Sequence, residues 1–172
     1  MSTLITTTVQ GVQNIKYDGS TTAMTIDSGG RVLTPNAVAW MVNKTSIQTA
    51  SGANEVATWQ GVTLNQGSGF QTTGSNVNKF VAPVHGIYQC AATLLSPGDN
   101  VQHDIELRKN NVAFVRTRNA TGNVHETYNL SWVGEMNAND TLHLVIATSG
   151  QKLYGDTSTN GYWTTWCGFL LG

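Results

Sequence analysis

Apolar and polar residues alternate along this chain at a period of two, and no stretch keeps the three-to-four spacing of a helix. Alternating or wholly apolar runs recur at short intervals from Ala37 onward. AVAWMVN (37–43) and EVATWQGVTLN (55–65) read as the first two strands, followed by GFQTTGSNVNKFVAPV (69–84) and GIYQCAATLL (86–95). The turn SPGDN (96–100) leads to HDIELRKN (103–110), and Asn110-Asn111 predicts a hairpin turn into VAFVRTR (112–118). YNLSWVGEM (128–136) places Tyr128, Leu130, Trp132 and Met136 on one face. Asn139-Asp140 then turns the chain into TLHLVIA (141–147), where Leu142, Leu144 and Ile146 face inward and His143 opposes them, toward solvent or a subunit interface. A last hairpin through Thr159-Asn160-Gly161 enters YWTTWCGFLLG. Many short strands with Gly- and Asn-rich turns predict an all-β sandwich or barrel.

Residues 1–36 have a different character. Ile5, Val9, Val12, Ile15, Tyr17, Met24, Ile26 and Val32 are spaced among hydroxyl residues, with turn signals at Asp18-Gly19 and Gly29-Gly30. So few large side chains cannot bury a core, so this segment is expected to be disordered or to pack against other chains. Thr34-Pro35-Asn36 marks the boundary, giving an arm (1–36) and a head (37–172).

Charged residues make up 11% of the 172-residue chain, well under the usual quarter. The formal net charge is −1 and no Lys/Arg cluster exists, which argues against nucleic acid as a partner. The N-terminus lacks the basic-then-apolar pattern of a secretory signal, and the longest apolar run, 37–42, is far short of a membrane span. On that reading the chain is made in a cytoplasm and does not insert in a membrane. The four N-x-[ST] triplets, at Asn43, Asn119, Asn129 and Asn139, then read as ordinary polar sequence.

No catalytic constellation emerges. G-x-S-x-G, H-E-x-x-H, C-x-x-C and a phosphate-binding glycine loop are all missing from the sequence. His103, Asp104 and Glu106 form the densest ionisable cluster, but alternation turns His103 away from the two carboxylates, and a solvated edge is expected there. Asp99, Asp104, Asp140 and Asp156 are calcium candidates by residue type alone, so neither a metal nor a cofactor is assigned. Tyr154, Asp156, Asn160, Tyr162 and Trp163 form a candidate ligand loop, because aromatic rings beside polar groups suit sugars or peptides; the same rings also suit a cap on the barrel end.

Two segments resemble one known family. FVAPVHGIYQ (80–89) carries Phe80, Ala82, Pro83, Gly86 and Tyr88, and WCGFLLG (166–172) carries Gly168, Phe169 and Leu170. They resemble the F-x-A-P-x-x-G-x-Y-x-F and F-S-G-F-L-L signatures of the C1q-like branch of the tumour-necrosis-factor superfamily. Leu107, Lys109 and Asn110 are similar to its L-x-K-N-G hairpin, with Asn111 in place of the glycine, and the likeness spans roughly residues 38–172. It implies a jelly-roll sandwich in a homotrimer, with the sheet that holds the C-terminal strand turned toward the threefold axis. Cys90 stands where the family carries Phe, so another group must fill that volume. The likeness also sets the last strand beside Cys90, which implies that Cys90 and Cys167 are close in the core, as two buried thiols or as a bonded pair.

Alternation puts Trp166, Gly168 and Leu170 on one face of the last strand and Cys167, Phe169 and Leu171 on the other. Both faces are apolar, so one is expected to meet the domain's own core and the other a sister chain. Trp166, Gly168 and Leu170 are taken as the trimer contact. In the arm, IKYDGSTTAMTIDSGGRV (15–32) resembles I-x-F-x-D-G-T-type segments of tailed-phage surface proteins. The combined expectation is a non-enzymatic virion structural protein. Its arm (1–36) would hold other virion proteins, while a trimeric head decorates or stabilises the capsid or tail. The alternatives are a tail-fibre tip that adheres to a host surface ligand, and a free lectin-like module.

Overall fold

The computed structural model describes residues 14–16, 19, 22–34, 37–98, 102–120, 122, 124–156 and 162–171. The chain divides into two units, Met1–Ala37 and Val38–Gly172. In the first, β1 (Asn14–Lys16), β2 (Thr22–Ile26) and β3 (Val32–Leu33) form an antiparallel sheet in that order. The glycine pair makes the β2–β3 turn: Gly30 has φ +76° and its N–H reaches Asp27 O at 2.9 Å. The Asp27 carboxylate accepts the N–H groups of Gly29 and Arg31, at 2.9 and 3.0 Å, and the Arg31 Nε–H at 2.7 Å. The Arg31 amide, followed by its guanidinium, holds that carboxyl below its usual range. Ile15 and Val32 are exposed. Asp18 lies outside the described residues.

The second unit packs two antiparallel sheets. Sheet I has the order β12 (Glu126–Met136), β9 (Gly86–Ser96), β15 (Thr165–Leu170), β4 (Ala39–Asn43), β7 (Gly61–Gln66). Sheet II runs β11 (Val112–Ala120), β10 (Gln102–Lys109), β13 (Thr141–Ile146), β6 (Glu55–Val56), with β8 (Phe80–Val81) also on β13. A small pair joins β14 (Lys152–Leu153) to β5 (Gln48–Thr49). This is an all-β jelly-roll sandwich, and no helix occurs among the described residues. Asn110 and Asn111 both take positive φ in the β10–β11 turn, and Asn139 does so before β13.

Two strand expectations are corrected. Residues 55–65 are not one strand: β6 lies in sheet II and β7 in sheet I. The connecting segment bonds sideways, with Ala57 N–H on Leu144 O (2.9 Å) and Trp59 N–H on Asn78 Oδ1 (3.0 Å). Residues 69–84 contribute only β8, because Gly74 and Asn78 adopt positive φ and fold the rest into turns.

The core explains the two sequence signatures. Trp40 stacks on Phe80 with centroids 3.8 Å apart, and Trp166 meets Trp40, Trp59 and Phe70 at 5.5–6.1 Å. A Cβ at Gly168 would collide with the Trp40 ring, so that glycine makes room for the indole. Gly168 faces Cys90 across the ladder, and the Trp166 side chain interacts with the thiol of Cys90, the small residue that stands where the family has Phe. Tyr88 reaches back over the Pro83 turn and donates its hydroxyl to Val84 O at 2.9 Å. That bond gives the spacing between Pro83, Gly86 and Tyr88 a mechanical reason.

Lys44 is also fully buried. Its ammonium donates to Gln48 Oε1 (3.0 Å), Thr58 O (2.8 Å) and Thr58 Oγ1 (3.0 Å), so all three protons have acceptors. Burial pulls its pKa down to about 8.

Candidate functional site

The last strand settles which face looks outward, and it reverses the expected assignment. Trp166 is 0% exposed and Gly168 is buried against the domain's own aromatic core, while Leu170 is partly buried against the same core. A side chain enclosed within its own chain has no surface left for a sister chain. Trp166 and Gly168 are therefore core residues and not a trimer contact, and Leu170 lies on the same inward side with part of its surface open.

The opposite face carries the open apolar surface. Phe169 and Leu171 are 44% and 52% exposed, with Cys167 beside them half-buried. Register extends this patch over the rest of sheet I: Cys167 faces Ala91 and Met41, Phe169 faces Gln89 and Ala39, and Met41 faces Leu64. Ile87, Val133, Val62 and Leu64 are all exposed. The carboxylate on the outward side of β12 is Glu135 at the rim, bound by His85 Nε2 at 2.7 Å. Exposed apolar side chains on this face lie among the polar groups of Gln89, Thr93, Asn129 and Ser131.

The two cysteines lie on opposite sides of this sheet. Cys90 points into the core, Cys167 points outward, and both thiols are free. Burial pushes the Cys90 thiol up to about 12. The expectation of two cysteines together in the core is corrected, because neighbouring strands put offset residues on opposite faces.

Sheet II has the opposite outer chemistry. Asp104 and Glu106 are buried, contrary to a solvated edge. Asp104 receives Arg116 through Nε (2.5 Å) and Nη2, and Arg118 through Nε (3.1 Å) and Nη2 (2.7 Å). Arg116, ahead of Arg118, holds the Asp104 carboxyl below its usual range against the effect of burial. Glu106 takes Arg108 Nε at 2.7 Å. His103 is buried on the inner side, near Tyr128. His143 is buried as well, and not at solvent. Desolvation, with Lys79 and Arg108 nearby, pulls its pKa down to about 4.

Two of the four calcium candidates are already engaged within the chain. Asp104 is committed to two guanidinium groups, and Asp140 is held by Asn110 Nδ2 (2.7 Å), Asn137 N–H (2.8 Å) and Lys109 (3.0 Å). Asp99 lies outside the described residues. Among the described residues no group of three or more His, Cys, Asp or Glu is placed to hold a metal ion.

The candidate ligand loop is only partly assembled. Tyr154 and Trp163 come together with ring centroids 6.4 Å apart, and His125 meets Tyr154 edge-on at 5.2 Å. Tyr162 is exposed beside Trp163, Asp156 is half-buried, and Asn160 lies outside the described residues. His125 gave no signal in the sequence, because it precedes β12 and reaches Tyr154 only through the pairing of β12 with β9.

The two-sheet topology and the Tyr88 and Gly168 devices define a jelly-roll sandwich. The C1q domain model matches residues 39–171, and the chain belongs to the C1q domain family. Among solved structures it is similar to the globular domain of zebrafish complement 1qA, with TM-score 0.62 at 13% identity, covering 78% of this chain and 98% of that one. Murine APRIL at pH 5.0 gives TM-score 0.60 at 16% identity, covering 78% of this chain and 99% of the other. These likenesses concern the fold. No curated protein matches the chain in sequence.

Proposed function

We propose that the chain is a non-enzymatic module that assembles as a homotrimer through the outer face of sheet I. The observation that carries this reading is the group of exposed apolar side chains Ile87, Val133, Phe169 and Leu171 on the sheet that holds the last strand, with the Glu135–His85 pair at its rim. The family resemblance turns that same sheet toward a threefold axis, and closed symmetry covers such a face without leaving an open edge. In this reading the N-terminal segment (1–36) attaches the trimer to the surface of a tailed-phage particle, where the head decorates or stabilises it. The phage setting rests on the likeness of residues 15–32 to phage surface segments, and host adhesion is the competing role.

Light scattering on the purified chain tests the assembly. Three chains of 18.4 kDa make a particle of about 55 kDa, and a monomer at micromolar concentration would refute it. Particle purification tests the setting: loss of incorporation on deleting residues 1–36, with the trimer intact, supports it.

A further inference from the structure

Three aromatic rings from three separate stretches of chain meet at one pole of the sandwich. Register locates that pole. Ser96 pairs Glu126, and Thr165 pairs Thr93 and Asn43, whereas Ala39 and Leu170 lie at the far end of the same strands. His125 precedes β12, Tyr154 follows β14, and Trp163 precedes β15. Tyr154 is the central ring, flanked by His125 at 5.2 Å and 84° and by Trp163 at 6.4 Å and 58°. His125 is exposed, Trp163 is 49% exposed, and Tyr154 is half-buried.

The backbone beneath these rings is pinned. Tyr154 N–H donates to Leu95 O at 2.8 Å, and Tyr154 O accepts the Thr164 hydroxyl at 2.6 Å. The same Thr164 oxygen accepts Leu95 N–H at 3.0 Å, and Thr164 O accepts Lys44 N–H at 3.0 Å. Thr164 is fully buried, so this knot is shielded from water. Gly155 lets the chain press against Ser46, whose backbone atoms a Cβ would strike. Rings on a backbone tied this way lose little freedom when a ligand arrives, which is the condition for useful affinity from a few apolar contacts.

We infer that His125, Tyr154 and Trp163 form a stacking platform for a neutral pyranose of an oligosaccharide, one platform per protomer. With successive planes 84° and 58° apart the rings form a concave set, in which the exposed Trp163 face offers flat apolar area for the C–H face of a sugar and Tyr154 and His125 stand beside it. The imidazole, phenol and indole edges offer donors and acceptors for its hydroxyls. The low charge of the chain fits a neutral ligand better than an anionic one. The platform sits at the pole opposite Ala39. This inference rests on the reading of the chain as a binding module. It does not need the trimer, since every member ring belongs to the same chain.

Saturation-transfer NMR on the full chain tests it, with maltohexaose, cellohexaose and mannohexaose as neutral probes and a heparin hexasaccharide as the charged one. At least one neutral probe should receive saturation at its ring C–H protons. The pair Tyr154→Ala and Trp163→Ala should weaken that binding by about tenfold or more, while Trp163→Phe keeps most of it. Circular dichroism confirms that each variant is folded. No transfer to any neutral probe, binding unchanged in the double variant, or binding of heparin alone would each overturn the platform. Light scattering on the same samples separates this from assembly. A monomer that binds sugar refutes only the trimer, and a trimer that binds none refutes only the platform.

Discussion

The two sheets of the head share one core and differ in what they turn outward. Sheet I presents Ile87, Phe169 and Leu171 with no charge across β9, β15 and β4, and Val133 on β12, where the Glu135–His85 pair lies at the rim. Sheet II presents Asp104, Glu106, Arg108 and Arg116, each with an ion-pair partner. An antiparallel sheet tolerates either outer face, because the ladder satisfies the backbone in both cases. Charges paired within the chain complete their own shell and leave the second face content in water. The uncharged face gains only by being covered. In the proposed trimer, the difference between the faces, more than the fold they share, is what directs assembly to one side.

The shared interior should be the most sensitive place to cut. Trp166→Ala removes the indole that touches Trp40, Trp59 and Phe70, and it should cost about 3–5 kcal/mol, lowering the urea midpoint of the whole head. If Trp166→Ala left stability unchanged and instead split the oligomer, the assignment of inner and outer faces would be inverted.

Next in size is the outer face of sheet I. Phe169→Asp should weaken assembly on the order of a hundredfold, about 3 kcal/mol, because it places an unpaired charge in a covered contact. Sedimentation would then show an 18.4 kDa species that still melts cooperatively. Arg118→Ala, on sheet II, should leave the oligomer mass unchanged, which makes the contrast a direct comparison of the two faces.

His143 makes the second sheet sensitive to pH. Its folded pKa of about 4 lies below the ordinary 6.5. The unfolded chain therefore binds the extra proton first, and stability falls as pH drops from about 6.5 to about 4, by up to about 3 kcal/mol. Urea titrations of wild type and His143→Leu at pH 7.5 and 4.5 measure this, and the variant should show the smaller loss. An equal loss in both would assign the effect to other groups.

The smallest effect concerns the paired charges. Asp104→Asn should cost about 1–3 kcal/mol, below the value for a fully buried pair because both arginine partners are half exposed. The Asp104 carboxyl is held below its ordinary 3.8, so its contribution is present above that value and is lost as pH falls below it. The difference between wild-type and variant thermal melts should be smaller at pH 3 than at pH 7.

Much of this molecule is legible from local pattern. Alternation locates β9, β10, β12, β13 and β15, the Asn110-Asn111 and Asn139 turns follow from tolerance of positive φ, and the Phe80–Tyr88 and Gly168–Leu170 signatures identify the family. Those features depend on residues within a few positions of one another. What alternation cannot supply is direction: it says that Trp166 and Gly168 share a face, and that Cys167 and Phe169 share the other. Since both faces are apolar, only packing against Trp40 and Phe70 decides which of them is the core. Burial of Asp104 likewise depends on arginines from the next strand, and the His125–Tyr154–Trp163 platform on three segments joined by Leu95 and Thr164. Period and turn chemistry are properties of neighbours in sequence, whereas facing, burial and convergence belong to neighbours in space.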